Sequence, residues 1–139
     1  MNQDVEALEA ILYRRSLPTD DASGQFVQAD ISCGLDLVRE VLYGKWKLHL
    51  LYFISEGVNR PGQLQKKIPG ATRRVLNVQL SQMEKHGLIS RQIYAELPPR
   101  VEYKLTPLGQ TVLPIITALG QWGDTHQKSL RRLIAQFQE

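Results

Sequence analysis

Cysteine is nearly missing from this chain of 139 residues, with Cys33 its single example. A disulfide framework needs pairs, so the fold must rest on apolar packing, as expected of a reducing compartment. No stretch reaches the roughly 18 consecutive apolar residues of a membrane span, and no basic start leads into an apolar run. The chain therefore reads as soluble and cytoplasmic, with no membrane partner. Low-complexity tracts are missing too, which argues against a fibrous repeat and against wholesale disorder. His49, His86 and His126 lie far apart, and neither His-x-x-x-His nor Cys-x-x-Cys spacing occurs. No glycine-rich loop follows a strand and opens a helix. Metal and phosphate-cofactor chemistry thus lack their residues, and neither a cofactor nor a metal is expected. The remaining enzyme reading, Cys33 paired in space with one of the histidines, has no spacing to support it.

What is present fits one compact domain: 42% of the residues are hydrophobic and 22% charged. The net charge of +3 is unevenly placed. Residues 1–44 hold three basic and eight acidic side chains, whereas 60–104 hold nine basic and three acidic. A basic middle beside an acidic N-terminal third suits a surface that meets a polyanion, and a merely solvated basic face would carry the same charge.

Along the chain, Val5, Leu8 and Leu12 recur at helical steps, with Asp4, Glu6 and Glu9 near the positive end of the dipole. An amphipathic helix is expected over 4–15. Pro18, Asp20, Asp21, Ser23 and Gly24 then make a linker to Asp30. So short a helix is marginal alone, so it should dock on the body or on a second subunit. Two helices, 35–42 and 46–54, are broken at Gly44, and the second is apolar enough to be central, with Trp46 buried. A third helix starts at Pro61 and stops before Pro69-Gly70. Thr72 is a plausible N-cap for a fourth, running to His86, with Leu76, Leu80 and Met83 as its apolar stripe and Gly87 as its stop.

After Gly87 the period changes to two. Residues 88–94 and 101–105 read as strands joined by a stiff tip containing Pro98-Pro99. Thr106 caps a last helical stretch with Pro107 at its first position. Leu108, Val112, Ile115, Leu119 and Trp122 form its stripe, Pro114 should kink it, and Leu130, Leu133, Ile134 and Phe137 mark a final amphipathic piece.

This order, mainly α with a small β-hairpin wing, is that of a winged helix-turn-helix. From Cys33 to about Gly123 the chain resembles the HxlR-type branch of the MarR-like transcriptional regulators. The resemblance rests on Gly44-Lys45-Trp46-Lys47, on Leu80, Glu84, Gly87-Leu88-Ile89 and Arg91 at the family spacing, and on the run Leu97-Pro98-Pro99-Arg100-Val101-Glu102-Tyr103-Lys104-Leu105-Thr106-Pro107-Leu108-Gly109. It implies a dimeric DNA-binding regulator; a homodimer would meet double-stranded DNA at a pseudo-palindromic operator, and repression is the expected mode although the residues do not separate it from activation. Residues 1–33 would be a dimer arm, 34–105 the DNA-binding domain and 106–139 the dimerisation helices. A small-molecule or electrophile effector is compatible with this arrangement.

The residues themselves support a DNA reading of helix 72–86. At 100° per residue, Arg74, Asn77, Ser81 and Lys85 fall opposite the apolar stripe, with Val78 between them and Arg73 reaching from the boundary. Arg can bridge guanine O6 and N7, and Asn can bridge adenine N6 and N7. Thr72 could serve as both N-cap and phosphate ligand. Lys45 and Lys47 flank Trp46, so either could reach phosphate or merely run its stem past the core. Arg100, after two prolines, could enter a minor groove, pair with phosphate, or be an incidental loop charge. A protein-binding wing is the competing use of such a fold, but it has no need of Arg73, Arg74 and Arg100 together.

Cys33 precedes a helix start, where the dipole favours a thiolate. In the resembling family a cysteine eleven positions before the glycine of Gly-Lys-Trp often senses oxidants or electrophiles, and Cys33 keeps that distance from Gly44. Its neighbour Gly34 stands where the family usually has Pro. The other reading is an inert buried cysteine.

Overall fold

Helix caps and stops divide the chain as its sequence pattern predicts, and the computed structural model describes residues 33–138. The expected helix over 4–15 and the linker behind it lie outside the described residues. The described residues fall into two units, 33–43 and 44–138.

In the first unit, α1 (Gly34–Leu42) starts behind Cys33, whose carbonyl accepts hydrogen bonds from the amides of Asp36 at 3.0 Å and Leu37 at 3.2 Å. Leu35, Leu37 and Val38 are exposed.

The second unit opens with α2 (Lys47–Ser55), whose Leu50, Leu51 and Ile54 are buried. It packs on α3 (Pro61–Lys67), α4 (Arg73–Lys85), β2 (Arg100–Leu105) and α5 (Pro107–Thr125). Both α2 and α4 end in the same way. Gly57 (φ +90°) and Gly87 (φ +75°) adopt the left-handed conformation, and the amides of Val58 and Leu88 reach back to the carbonyls of Phe53 and Met83 at 3.0 Å each. This double closure satisfies the last carbonyls and turns the chain sharply, and glycine adopts its left-handed step without a Cβ clash.

Beyond Gly87, β1 (Ile89–Tyr94) pairs antiparallel with β2 in a register that sets Ile89 opposite Leu105 and Tyr94 opposite Arg100. Leu88, expected in the strand, instead lies just ahead of it, buried, its carbonyl accepting from the Thr106 amide at 3.1 Å. Thr106 caps α5 by accepting from the Gly109 amide at 3.0 Å, while its hydroxyl donates to the Gly87 carbonyl. One threonine thereby fixes the wing's exit to the end of α4. Helix α5 is continuous through Pro114, although the ring removes one amide from the hydrogen-bond ladder, and the chain breaks only at His126, before α6 (Gln127–Gln136).

No described helix is long and apolar enough to cross a membrane. Among the described residues no cluster of His, Cys, Asp and Glu could hold a metal ion.

Candidate nucleic-acid interface

Helix α4 carries the site because one side of it is fixed. Leu76, Leu80 and Met83 are at most 1% exposed, and burying such side chains contributes about 1.5–3 kcal/mol each. Thr72 caps the helix as expected, its side-chain oxygen accepting from the Val75 amide at 3.2 Å. The opposite side faces solvent, where Arg73, Arg74, Asn77, Val78, Ser81 and Lys85 are all exposed. With Gln82 they line an open groove of about 760 Å³. Gln82 is the member that sequence reasoning missed, although it lies four residues after Val78 and three before Lys85 and so shares their face.

The electrostatics of this helix favour binding over stability. Its first turn has no acidic residue, and Arg73 and Arg74 occupy the positions nearest the positive end of the dipole. Two cations there weaken the helix slightly and strengthen its attraction for an anion.

Around Trp46 the structure corrects the expectation. Trp46 is half-buried, and Lys47 is the residue that disappears into the protein, 2% exposed. The Lys47 stem lies so close over Gly44 that a Cβ there would meet its Cγ and Cε at 3.0 Å. Burial lowers the pKa of Lys47. Lys47 is thus withdrawn from any phosphate role, whereas Lys45 remains exposed with its ammonium 5.2 Å from the Trp46 ring centre.

Arg100, expected as the last residue of the stiff tip, opens β2, and Leu97 is the fully exposed residue of the tip. The Arg100 guanidinium lies 4.1 Å over the Tyr94 ring and forms ion pairs with Glu96 at 3.4 Å and Glu102 at 3.6 Å. A cleft of about 380 Å³ between the wing and the starts of α3 and α4 is lined by Arg60, Arg73, Arg100, Glu96 and Pro98-Pro99. Arg73 lines this cleft and the α4 groove alike, so the two form one basic surface. Thr72, Arg73, Arg74, Asn77, Val78 and Ser81 are brought together, with Arg100 alongside them across the cleft.

Cys33 belongs to the first unit. It is 4% exposed and occupies the N-cap position of α1 without a side-chain capping bond. Asp36 already meets the first turn's preference for negative charge. A reagent reaches this sulfur only if its surroundings move.

Comparison with known proteins places this geometry among regulators. The profile of the HxlR-like helix-turn-helix family matches residues 41–131. The chain is 44% identical over 92 residues to the uncharacterized HTH-type transcriptional regulator YkvN of Bacillus subtilis (strain 168), covering 66% of this chain and 78% of that one. It is 35% identical over 124 residues to the regulator YdeP of the same strain, covering 89% and 94%. Among solved structures, the redox regulator HypR in its reduced form superposes with a TM-score of 0.68 at 33% identity, over 72% of this chain and 99% of that one. The oxidised form of HypR gives a TM-score of 0.64 at 35% identity, over 67% and 96%.

Proposed function

The chain belongs to the HxlR-like helix-turn-helix family of transcriptional regulators, not to a family of enzymes, and from that premise we propose that it is a sequence-specific repressor acting as a homodimer on a pseudo-palindromic operator. The observation that carries this reading is the division of α4: an inner face locked into the core, and an outer face of Arg74, Asn77 and Ser81 held free for base edges. Arg73 and Thr72 at its start, Lys45 ahead of α2 and Arg100 on the wing would seat the protein on phosphates and the neighbouring minor groove. A dimer so seated represses by occupying the DNA that polymerase needs.

Support for the dimer comes from the last two helices. Leu108, Ile115, Leu119 and Trp122 on α5 and Leu133, Ile134 and Phe137 on α6 are exposed in the single chain, and exposed apolar stripes of this kind favour an interface. Residues 106–139 would be the dimerisation helices and residues 1–33 an arm that adds to them. Selecting bound duplexes from a random pool tests the whole reading. It predicts one recovered motif, two-fold symmetric, with half-sites about one helical turn apart. Recovery of no motif would reject it.

The likeness to a redox regulator supports Cys33 as a sensor of oxidants or electrophiles. With a single cysteine per chain, a protein disulfide within the dimer would join Cys33 to its symmetry mate. The other products are a sulfenic acid or a mixed disulfide with a small thiol. Operator binding of the parent and of Cys33→Ser, before and after diamide and again after reductant, decides the matter. A reversible change confined to the parent supports sensing, and equal responses leave Cys33 as packing. A second reading, regulation by a small apolar ligand with a non-sensing cysteine, is favoured by the cleft of about 510 Å³ lined by Leu48, His49, Tyr52, Ile116 and Leu119. All of these roles are those of a cytoplasmic protein.

A further inference from the structure

One carboxylate ties the wing to the helical body. Glu102 lies 3.6 Å from Nε of Arg60, the residue just ahead of α3, and 3.6 Å from Nε of Arg100 on its own strand. Its side chain is 23% exposed, less than the 31% of Arg100 or the 46% of Arg60. Both separations exceed the roughly 2.7–2.9 Å of a charge-assisted hydrogen bond. Nε of Arg100 is buried and has no hydrogen-bond partner. A single carboxylate is therefore shared by two arginines without a hydrogen bond to Nε of Arg100, whose other end pairs with Glu96 at 3.4 Å, and both arginines line the cleft where Arg73 also stands.

We propose that Glu102 is a specificity-determining residue, an internal stand-in for a DNA phosphate that holds Arg60 and Arg100 until a backbone phosphate replaces it. The inference rests on the DNA reading above. A free guanidinium strengthens binding to any duplex, because each phosphate it neutralises releases counterion regardless of sequence. Two guanidiniums held on an internal carboxylate give little to a random encounter. They are released where α4 is seated in a groove, because Arg73 on that helix then brings the duplex backbone to the mouth of the same cleft. Partly exposed pairs at these distances are weak, so a phosphate can displace the carboxylate and the exchange is reversible. Tyr94, under the Arg100 guanidinium, keeps that side chain in place while its partner changes.

Glu102→Gln keeps the size of the side chain and removes its charge. The test titrates the full chain with the duplex selected by the parent and with a mixed-sequence duplex, over a range of salt. The substitution should raise affinity for the mixed sequence by about three- to ten-fold at low salt and steepen its dependence of log K on log salt by about one to two. The preference for the selected site should shrink accordingly. Glu56→Gln, the same charge change at the exposed end of α2, should leave the slope unchanged. Arg60→Gln should weaken the selected site and leave mixed-sequence binding as it was, which keeps the proposal testable if Glu102→Gln folds poorly. A Glu102→Gln slope equal to the parent's, or equal losses on both duplexes from Arg60→Gln, overturns the proposal while leaving the DNA reading intact. A parent that binds neither duplex overturns both.

Discussion

The side-chain carbonyl of Gln79, midway along α4, accepts a hydrogen bond at 3.0 Å from the backbone amide of Trp46, just ahead of α2. A Cβ at Gly70, in the turn before α4, would lie 3.3 Å from the Trp46 ring, so the indole also fits closely against that turn. Helix α4 is thereby clipped to the start of a neighbouring helix that has no side-chain cap of its own. Gln79→Ala should cost about 1–3 kcal/mol, because it leaves a part-buried amide without its acceptor. Gln79→Glu should recover most of the loss, since a carboxylate can accept the same bond. Denaturant midpoints of the three proteins give the comparison, and equal midpoints would deny the clip its structural role.

Gly109 is fixed by contact. A Cβ there would lie 2.1 Å from the carbonyl oxygen of Leu88, the group that also receives the Thr106 amide. Gly109→Ala should destabilise by roughly 3 kcal/mol, the upper end for overpacking, because backbone must move. Unchanged thermal unfolding would show that the α5 start and the wing are less tightly joined than the structure has them.

Burial raises the pKa of the Tyr103 phenol above the ordinary tyrosine value of 10.0, with Arg91 and Arg73 pulling it down and Glu84 pushing it up. The folded protein thus keeps this proton longer than the unfolded chain does. The stability contributed by the neutral phenol is full below pH 10 and is lost as pH rises from 10 towards the raised folded value. The advantage of the parent over Tyr103→Phe should therefore shrink above about pH 10. An advantage that does not vary with pH would contradict the assignment.

If the exposed stripe on α5 is the dimer surface, Leu119→Asp should convert the protein to a monomer at tens of micromolar, read by light scattering as a halving of mass. A parent that is itself monomeric there would remove the dimer from the proposal.

Much of this was legible because local chemistry and tertiary structure agree. Thr72 and Thr106 are caps in sequence and in structure, and Gly87 ends a helix for the reason a glycine should. The period of Leu76, Leu80 and Met83 located the outer face of α4 before any contact was known. What was hidden depends on distant neighbours. Hydropathy put Trp46 inside and left Lys47 either to reach phosphate or to run its stem past the core; a lysine stem can lie over a bare glycine Cα, and Gly44 supplies one. The two prolines suggested a stiff arm presenting Arg100, and the alternation of a strand places Arg100 and Glu102 on one face, which was the available sign of their pairing. Nothing in the spacing announced Arg60, which meets Glu102 only because the wing folds back beside α3.

Base reading by α4 is tested most directly by a titration of the selected duplex against the parent, Arg74→Ala and Asn77→Ala, with point-substituted duplexes alongside. Each variant should lose about 1–3 kcal/mol on the selected site and lose discrimination at one position in each half-site, with mixed-sequence affinity little changed. If both alanine variants bind and discriminate as the parent does, another surface reads the DNA and the assignment to α4 is wrong.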